Sequence, residues 1–217
     1  VPSPADRAGP AVDGRRARRE RTRLAVVDAV FALIEDGKVP PTVDDVAARA
    51  GVSVSSVFRT FDGLDDLQRQ AFDRFQERFS HLLDAGPEAG AGRAARIRHH
   101  VGARVELCST AGPLMHVARQ RALEYQPLAD GVARLRSRLA DHTARHFDDE
   151  ARRLAPGDAA ELLALLDATT SPEAFESMRA VHACDDRQIA RTWITALEVL
   201  LDGWPTLAPP GAPDSTE

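Results

Sequence analysis

The stretch TVDDVAARAGVSVSSVFRTF, residues 42–61, limits the fold of this chain more than any other. Two helix-forming runs meet at Gly51, and each follows a residue suited to capping. Thr42 precedes the first, with Asp45 three places on as an acidic variant of the capping box. Ser53 precedes the second, which is expected from Val54 to about Thr60. Gly51 supplies the tight turn, where left-handed backbone costs little only for glycine. Val46 and Ala47 are expected to face inward, Ala47 small because the second helix crosses close by. Val52 and Val57 would plug the corner, and Phe58 and Phe61 would anchor the second helix. That leaves Val54, Ser55, Ser56, Arg59 and Thr60 to face outward.

The outward set has the chemistry of a DNA reader. Arg59 can donate two hydrogen bonds to a guanine edge, or one to a phosphate. Ser55, Ser56 and Thr60 can bond phosphates or bases, Val54 can touch a thymine methyl, and a helix start near Ser53 favours phosphate. A plain structural corner would use the same anchors. Charge bears on the choice. The chain is net −5, but residues 1–60 carry +2 and the remainder −7. Arg15, Arg16, Arg18, Arg19, Arg21 and Arg23 crowd together, and a local basic patch attracts phosphate whatever the total. A solvated basic helix start is the plainer reading of that cluster.

Sparse strand formers and abundant Ala, Leu and Arg predict an all-α fold. Residues 1–14 read as a disordered tail. A first helix is expected from about Ala17 to Asp36, with Leu24, Val27, Phe31 and Ile34 on its apolar face and Val30 beside them. A long helix is expected at about 64–85. Beyond a joint at 86–92 the pattern predicts helices at about 93–109, 113–123, 127–153, 158–168, 172–182 and 186–203, punctuated by Pro113, Pro127, Pro156 and Pro172. Residues 205–217 read as a second disordered tail. The expected domains are 15–63 for DNA binding and 64–204 for ligand binding and dimerisation. Two cysteines make no disulfide framework, and no apolar run approaches the roughly 18 residues that span a bilayer. With no signal-like N-terminus, the expected location is cytoplasmic.

The segment TRLAVVDAVFALIEDGKVPPTVDDVAARAGVSVSSVFRTFDGLDDL resembles the N-terminal domain of the TetR (tetracycline-repressor-like) transcriptional regulators, over about residues 17–70. The resemblance implies a three-helix helix-turn-helix domain joined by a long helix to a larger helical domain. It implies that Thr42 touches the DNA backbone while capping its helix. Ser56, Phe58 and Thr60 occupy positions that usually contact phosphate, and Val54, Ser55 and Arg59 positions that usually face base edges. Arg15, Arg16, Arg18, Arg19 and Ser53 complete the expected DNA-binding set. Phe58 stands where many relatives have tyrosine, and Leu64 where a lysine usually opens the fourth helix. Neither side chain can hydrogen-bond a phosphate, so DNA binding is expected to lean on the arginine arm.

The larger part is expected to dimerise and hold a small molecule. Leu162, Leu166, Ile189, Trp193, Leu197 and Leu200 are the expected dimer interface, on two strongly apolar helices. Ile97, Val101, Val105 and Cys108 form one apolar stripe, bordered by His100 and Arg104. Leu128, Val132, Leu135 and Leu139 form another, which His142 and His146 continue. Phe75, Phe79, His100, Arg104, Cys108, Met115, Leu139, His142 and His146 are the candidate pocket residues, with Arg104 suited to a ligand carboxylate. Satisfied core histidines and a snorkelling arginine are the plainer reading. His142 and His146 have metal-ligand spacing with Asp149 and Glu150 nearby, but a lone pair is weak evidence. No metal and no cofactor is expected, and no catalytic residue. Walker, HExxH and dinucleotide patterns are absent, so the chain is not expected to be an enzyme. The expectation is a homodimeric repressor of operator DNA, released by a small-molecule effector and with no membrane partner. A ligand-independent DNA-binding or architectural protein is the alternative.

Overall fold

The structure, a computed structural model, describes residues 10–204, the side chains of residues 10–13, 15, 64 and 65 excepted. Residues 1–9 and 205–217 of the two expected tails lie outside it. Among the described residues there are ten helices and no strand: α1 (Pro10–Glu35), α2 (Val43–Ala50), α3 (Val54–Thr60), α4 (Leu64–Asp84), α5 (Arg93–Ala122), α6 (Gln126–His146), α7 (Asp148–Ala151), α8 (Pro156–Thr169), α9 (Pro172–Ala180) and α10 (Asp186–Gly203). They fall into two compact units. One comprises the chain through Arg78 with Pro113–Val132; the other comprises Phe79–Gly112 with the chain from Ala133. The division lies inside α4, α5 and α6 rather than at the expected boundary of 63/64, because long helices here serve both units.

In the first unit α1 starts at Pro10, so residues 10–14 are helical and the expected tail is shorter. Proline suits a helix start, and the arginines after it are good helix formers. The buried face of α1 holds Val26, Val27, Ala29, Phe31, Leu33 and Ile34. It is wider than the expected stripe, and Leu24, placed on that stripe by its spacing, is exposed. The reason is that α2, α3 and α4 all meet α1, so it needs more than one row of contacts. Val46 and Ala47 of α2, Val57 of α3 and Phe61 complete this core. Ion pairs from Arg74 to Asp28 (2.9 Å) and from Arg78 to Glu35 (3.0 Å) fasten α4 to α1.

In the second unit, α8 and α10 pack together. Leu162, Leu166, Ile189, Trp193 and Leu197 are buried to within about 2 % exposure in a single chain. They therefore form this unit's core and have no surface left to bury in a dimer, which corrects their expected role. Leu200 is only partly exposed. Ile189, Trp193, Leu197 and Leu201 repeat every four residues, the spacing of one inward row. The outward apolar residues on these helices are Leu165 and Val199.

Two helix boundaries also differ from expectation. Pro113 lies inside α5, which runs unbroken across it. One proline removes a single backbone donor, which a 30-residue helix packed along its length tolerates. The helix expected over 127–153 stops at His146. Phe147 leaves helical geometry (φ −118°, ψ 20°) and is fully buried, and α7 restarts after it. Arg96 donates to the terminal His146 carbonyl at 2.9 Å and pairs with Asp149 and Glu150. Burying Phe147 and capping α6 with Arg96 outweighs continuing the helix.

Candidate nucleic-acid interface

Local chemistry builds the corner. Thr42 and Asp45 form a complete capping box, and the Thr42 hydroxyl also donates to Asp45 at 2.6 Å. Hydrogen bonds from Lys38 and Thr42 hold the Asp45 carboxyl down at about 2. Gly51 is left-handed (φ 67°), and its N–H and that of Val52 bond back to α2 carbonyls, closing the turn. Ser53 caps α3 by accepting from the Ser56 N–H at 3.2 Å.

The helical period then decides which α3 side chains face out. Val57, Thr60 and Phe61, at i, i+3 and i+4, are buried. Ser55, Phe58 and Arg59 lie on the opposite side and are exposed, while Val54 and Ser56 are partly covered. Two expectations change. Phe58 is 67 % exposed, so it is no anchor; it stays available as a surface contact. Thr60 is buried, its hydroxyl donates to the Ser56 carbonyl at 2.6 Å, and it does not face outward.

A clamp with no local signature in the sequence holds the base of α3. Arg23 donates to the Thr60 carbonyl at 3.1 Å and to Asp66 at 2.9 Å. Asp66 is buried and also accepts from Gln70, Arg69 and the Asp62 N–H. These bonds, Gln70's foremost, hold its carboxyl at about 2 against the opposing effect of burial. Arg23 is thus committed inside the domain. Arg19 reaches the Thr60 carbonyl and Asp62, each at 3.4 Å, but remains half exposed. Arg16 and Arg18 are exposed, and the Arg15 side chain lies outside the described residues. Thr42 and Ser53 are exposed at the starts of α2 and α3.

The candidate pocket residues are all buried. Phe75 and Met115 belong to the first unit; Phe79, His100, Arg104, Cys108, Leu139, His142 and His146 belong to the second. In the second unit Arg104 does not snorkel. It is 1 % exposed and donates through Nη2 to the Leu139 carbonyl (2.5 Å), Thr143 (2.8 Å) and Asp167 (2.7 Å). Its Nε and Nη1 are buried without a hydrogen-bond partner. Beside it, His100 of α5 meets His142 and His146 of α6, with ring centroids 5.1 and 5.3 Å from the His100 ring. Burial, reinforced by Arg104 and the neighbouring rings, pushes His100 well below its ordinary range. His142 is pushed down to about 2 and His146 to about 4, again first by burial. All three are neutral near pH 7. Asp149 and Glu150, adjacent in sequence, instead face Arg96.

No protein-family model and no curated protein sequence matches the chain. Solved structures do. A transcriptional regulator from Rhodococcus sp. Rha1 superposes with a TM-score of 0.64 at 21 % identity, over 85 % of this chain and 96 % of that one. A TetR-like transcriptional regulator from Rhodococcus sp. RHA1 gives 0.59 at 21 % identity, over 88 % and 96 %. The fatty acid degradation regulator FadR from Bacillus halodurans gives 0.61 at 13 % identity, over 84 % and 95 %. These matches span nearly whole chains, so the chain has the fold of the TetR-like transcriptional regulators.

Proposed function

We propose that the protein is a dimeric, DNA-binding transcriptional regulator of the cytoplasm, a repressor released from its operator by a small molecule, with no catalytic role. The observation that carries this reading is the two-sidedness of α3. Val57, Thr60 and Phe61 fix its back, while Ser55, Phe58 and Arg59 share an exposed front. Arg59 is the base-reading side chain, and its one hydrogen bond among the described residues, to Ser56 at 3.3 Å, is weak enough to exchange for a guanine edge. Phe58 packs against sugar and backbone, where it cannot donate a hydrogen bond. Arg16 and Arg18 add phosphate contacts. Two copies paired by a two-fold axis read half-sites about one DNA turn apart. The outward Leu165 and Val199, with the edge of Leu200, supply the apolar patch for that pairing.

The effector enters the second unit. Arg104 offers the N–H groups of Nε and Nη1, unpartnered and on different edges of the guanidinium, as separate donors to the acceptor atoms of an anion. Effector and operator then weaken each other's binding by the same factor. Selection of bound duplexes from a randomised DNA pool tests the regulator reading. It is expected to enrich two-fold-related half-sites. Recovery of DNA without sequence enrichment would contradict it and favour an architectural protein.

A further inference from the structure

We propose that His100, His142 and His146 form a binding site for a divalent first-row transition metal ion that prefers imidazole, zinc or one of its neighbours. The proposal goes beyond the regulator reading and stands without it. Three histidines from two helices meet with one ligand nitrogen each, all within 4.8 Å of one another, and each histidine is at most 1 % exposed.

The hydrogen bonds around the cluster fix where the lone pairs point. Thr170 Oγ1 spends its proton on the Leu166 carbonyl (2.9 Å), so it accepts from His100 Nε2 (3.0 Å). That leaves the His100 lone pair on Nδ1, which is buried without a partner. The His142 carbonyl can only accept, so His146 Nδ1 carries the proton at 2.8 Å and the lone pair is on Nε2. Histidines that bind metals are oriented in this way, by a second-sphere acceptor on the other nitrogen. Both ring nitrogens of His142 are also buried and unpartnered.

A buried polar atom without a partner is unfavourable, and two such rings side by side need an occupant or a reason. A metal ion provides one. Three imidazoles on a tetrahedral ion with bonds of about 2.0 Å have ring centroids about 5 Å apart. Two of the three separations here are 5.1 and 5.3 Å, and the third, between His142 and His146, is 4.2 Å. The Arg104 charge does not bar a cation, because Asp167 balances it at 2.7 Å. His99 is exposed, and its Nδ1 lies 2.8 Å from His146 Nε2. Because His146 Nε2 carries no proton, His99 Nδ1 donates to it; an incoming ion displaces this hydrogen bond, and His99, its proton moved to its own Nε2, becomes a candidate for the fourth position on the solvent side. The donor set is imidazole, without a facing carboxylate, which favours zinc, copper, nickel or cobalt over magnesium or calcium.

Cobalt(II) titration of the chelator-treated full chain tests the site through its visible absorption. One equivalent per chain is expected, with the intense bands of a low-coordinate site that zinc(II) then bleaches. His142→Ala and His146→Ala should each weaken cobalt by more than about 100-fold, and Thr170→Val, which frees the His100 tautomer, by about tenfold. His182→Ala, at an exposed position, should leave it unchanged. Ring-nitrogen NMR of the wild-type chain gives a readout that needs no variant. Zinc should shift the signals of His100, His142 and His146. A folded wild-type chain that takes up neither metal overturns the proposal. So does a folded His142→Ala chain that binds cobalt as tightly, or zinc shifts confined to His81, His116 and His182.

Discussion

The front of α3 and the histidine cluster are both polar groups set on helices, yet they are held in opposite ways. Ser55 and Arg59 face water, which satisfies them. Their placement comes from apolar residues behind them and from caps within a few residues. His100, Arg104 and His142 are shut away from water, and His100 and Arg104 depend on partners 35 to 70 residues distant: Leu139, Thr143, Asp167 and Thr170. An exposed polar side chain can be changed with little effect on folding, and its removal is felt in binding. A buried one carries a folding cost as well.

That contrast can be broken at several points. The largest effect of a single substitution is expected at Asp167. Asp167→Ala leaves Arg104 buried without its counter-charge and should cost about 3 kcal/mol, measured by urea unfolding. Partial exposure of Asp167 trims this figure below that of a fully enclosed pair. A variant as stable as the wild type would show that Arg104 finds water instead.

Acid should separate the two regions next. In chelator-treated protein the buried histidines are neutral when folded but ordinary bases, with pKa near 6.5, when unfolded. The unfolded chain therefore binds more protons once pH falls below about 6.5. Stability should drop by up to about 1.4 kcal/mol per pH unit for each histidine. His146 contributes to this loss down to about pH 4, and His142 further, to about 2. Asp66 behaves oppositely in cause and later in pH. Its folded pKa of about 2 lies below the ordinary 3.8, so its contribution is intact above pH 4 and lost as pH falls toward 2. Unfolding followed from pH 7 to pH 5 should thus destabilise the second unit while the Arg23–Asp66 clamp holds. Equal loss in both units over that range would contradict the separation.

Smaller effects belong to the region proposed to bind DNA. Ser53→Ala removes the α3 cap and should cost about 1 kcal/mol of thermal stability in the first unit. Replacing both Arg16 and Arg18 by alanine should leave stability unchanged. It should reduce the slope of log affinity against log salt by about 1 to 2, about 0.9 for each phosphate no longer neutralised. An unchanged slope would remove the arm from the DNA-binding surface.

How much can be read from the chain follows the same contrast. The capping box at Thr42, the cap at Ser53 and the left-handed Gly51 depend on neighbours within a few residues, and all are legible. So is the inward set of Val46, Ala47, Val57 and Phe61. Thr60 and Phe58 are misplaced when chemistry is weighed before phase: three residues after Val57 a side chain faces in, and one residue after it faces out. Leu162, Ile189 and Trp193 are legible as apolar stripes, but a stripe does not say whether its partner lies in the same chain or another. The i, i+4 spacing of His142 and His146 is visible, while their meeting with His100, held by Thr170, depends on helix packing across more than 40 residues. No local pattern carries that information.

The central claim is that the exposed front of α3 reads DNA, and Arg59 tests it most directly. The measurement is the affinity of the full-length Arg59→Ala chain for a duplex selected by the wild-type protein, and for the same duplex with single base changes. The expected result is a loss of about 1–3 kcal/mol, with preference relaxed at one base pair in each half-site. Unchanged affinity and unchanged base preference would contradict the claim.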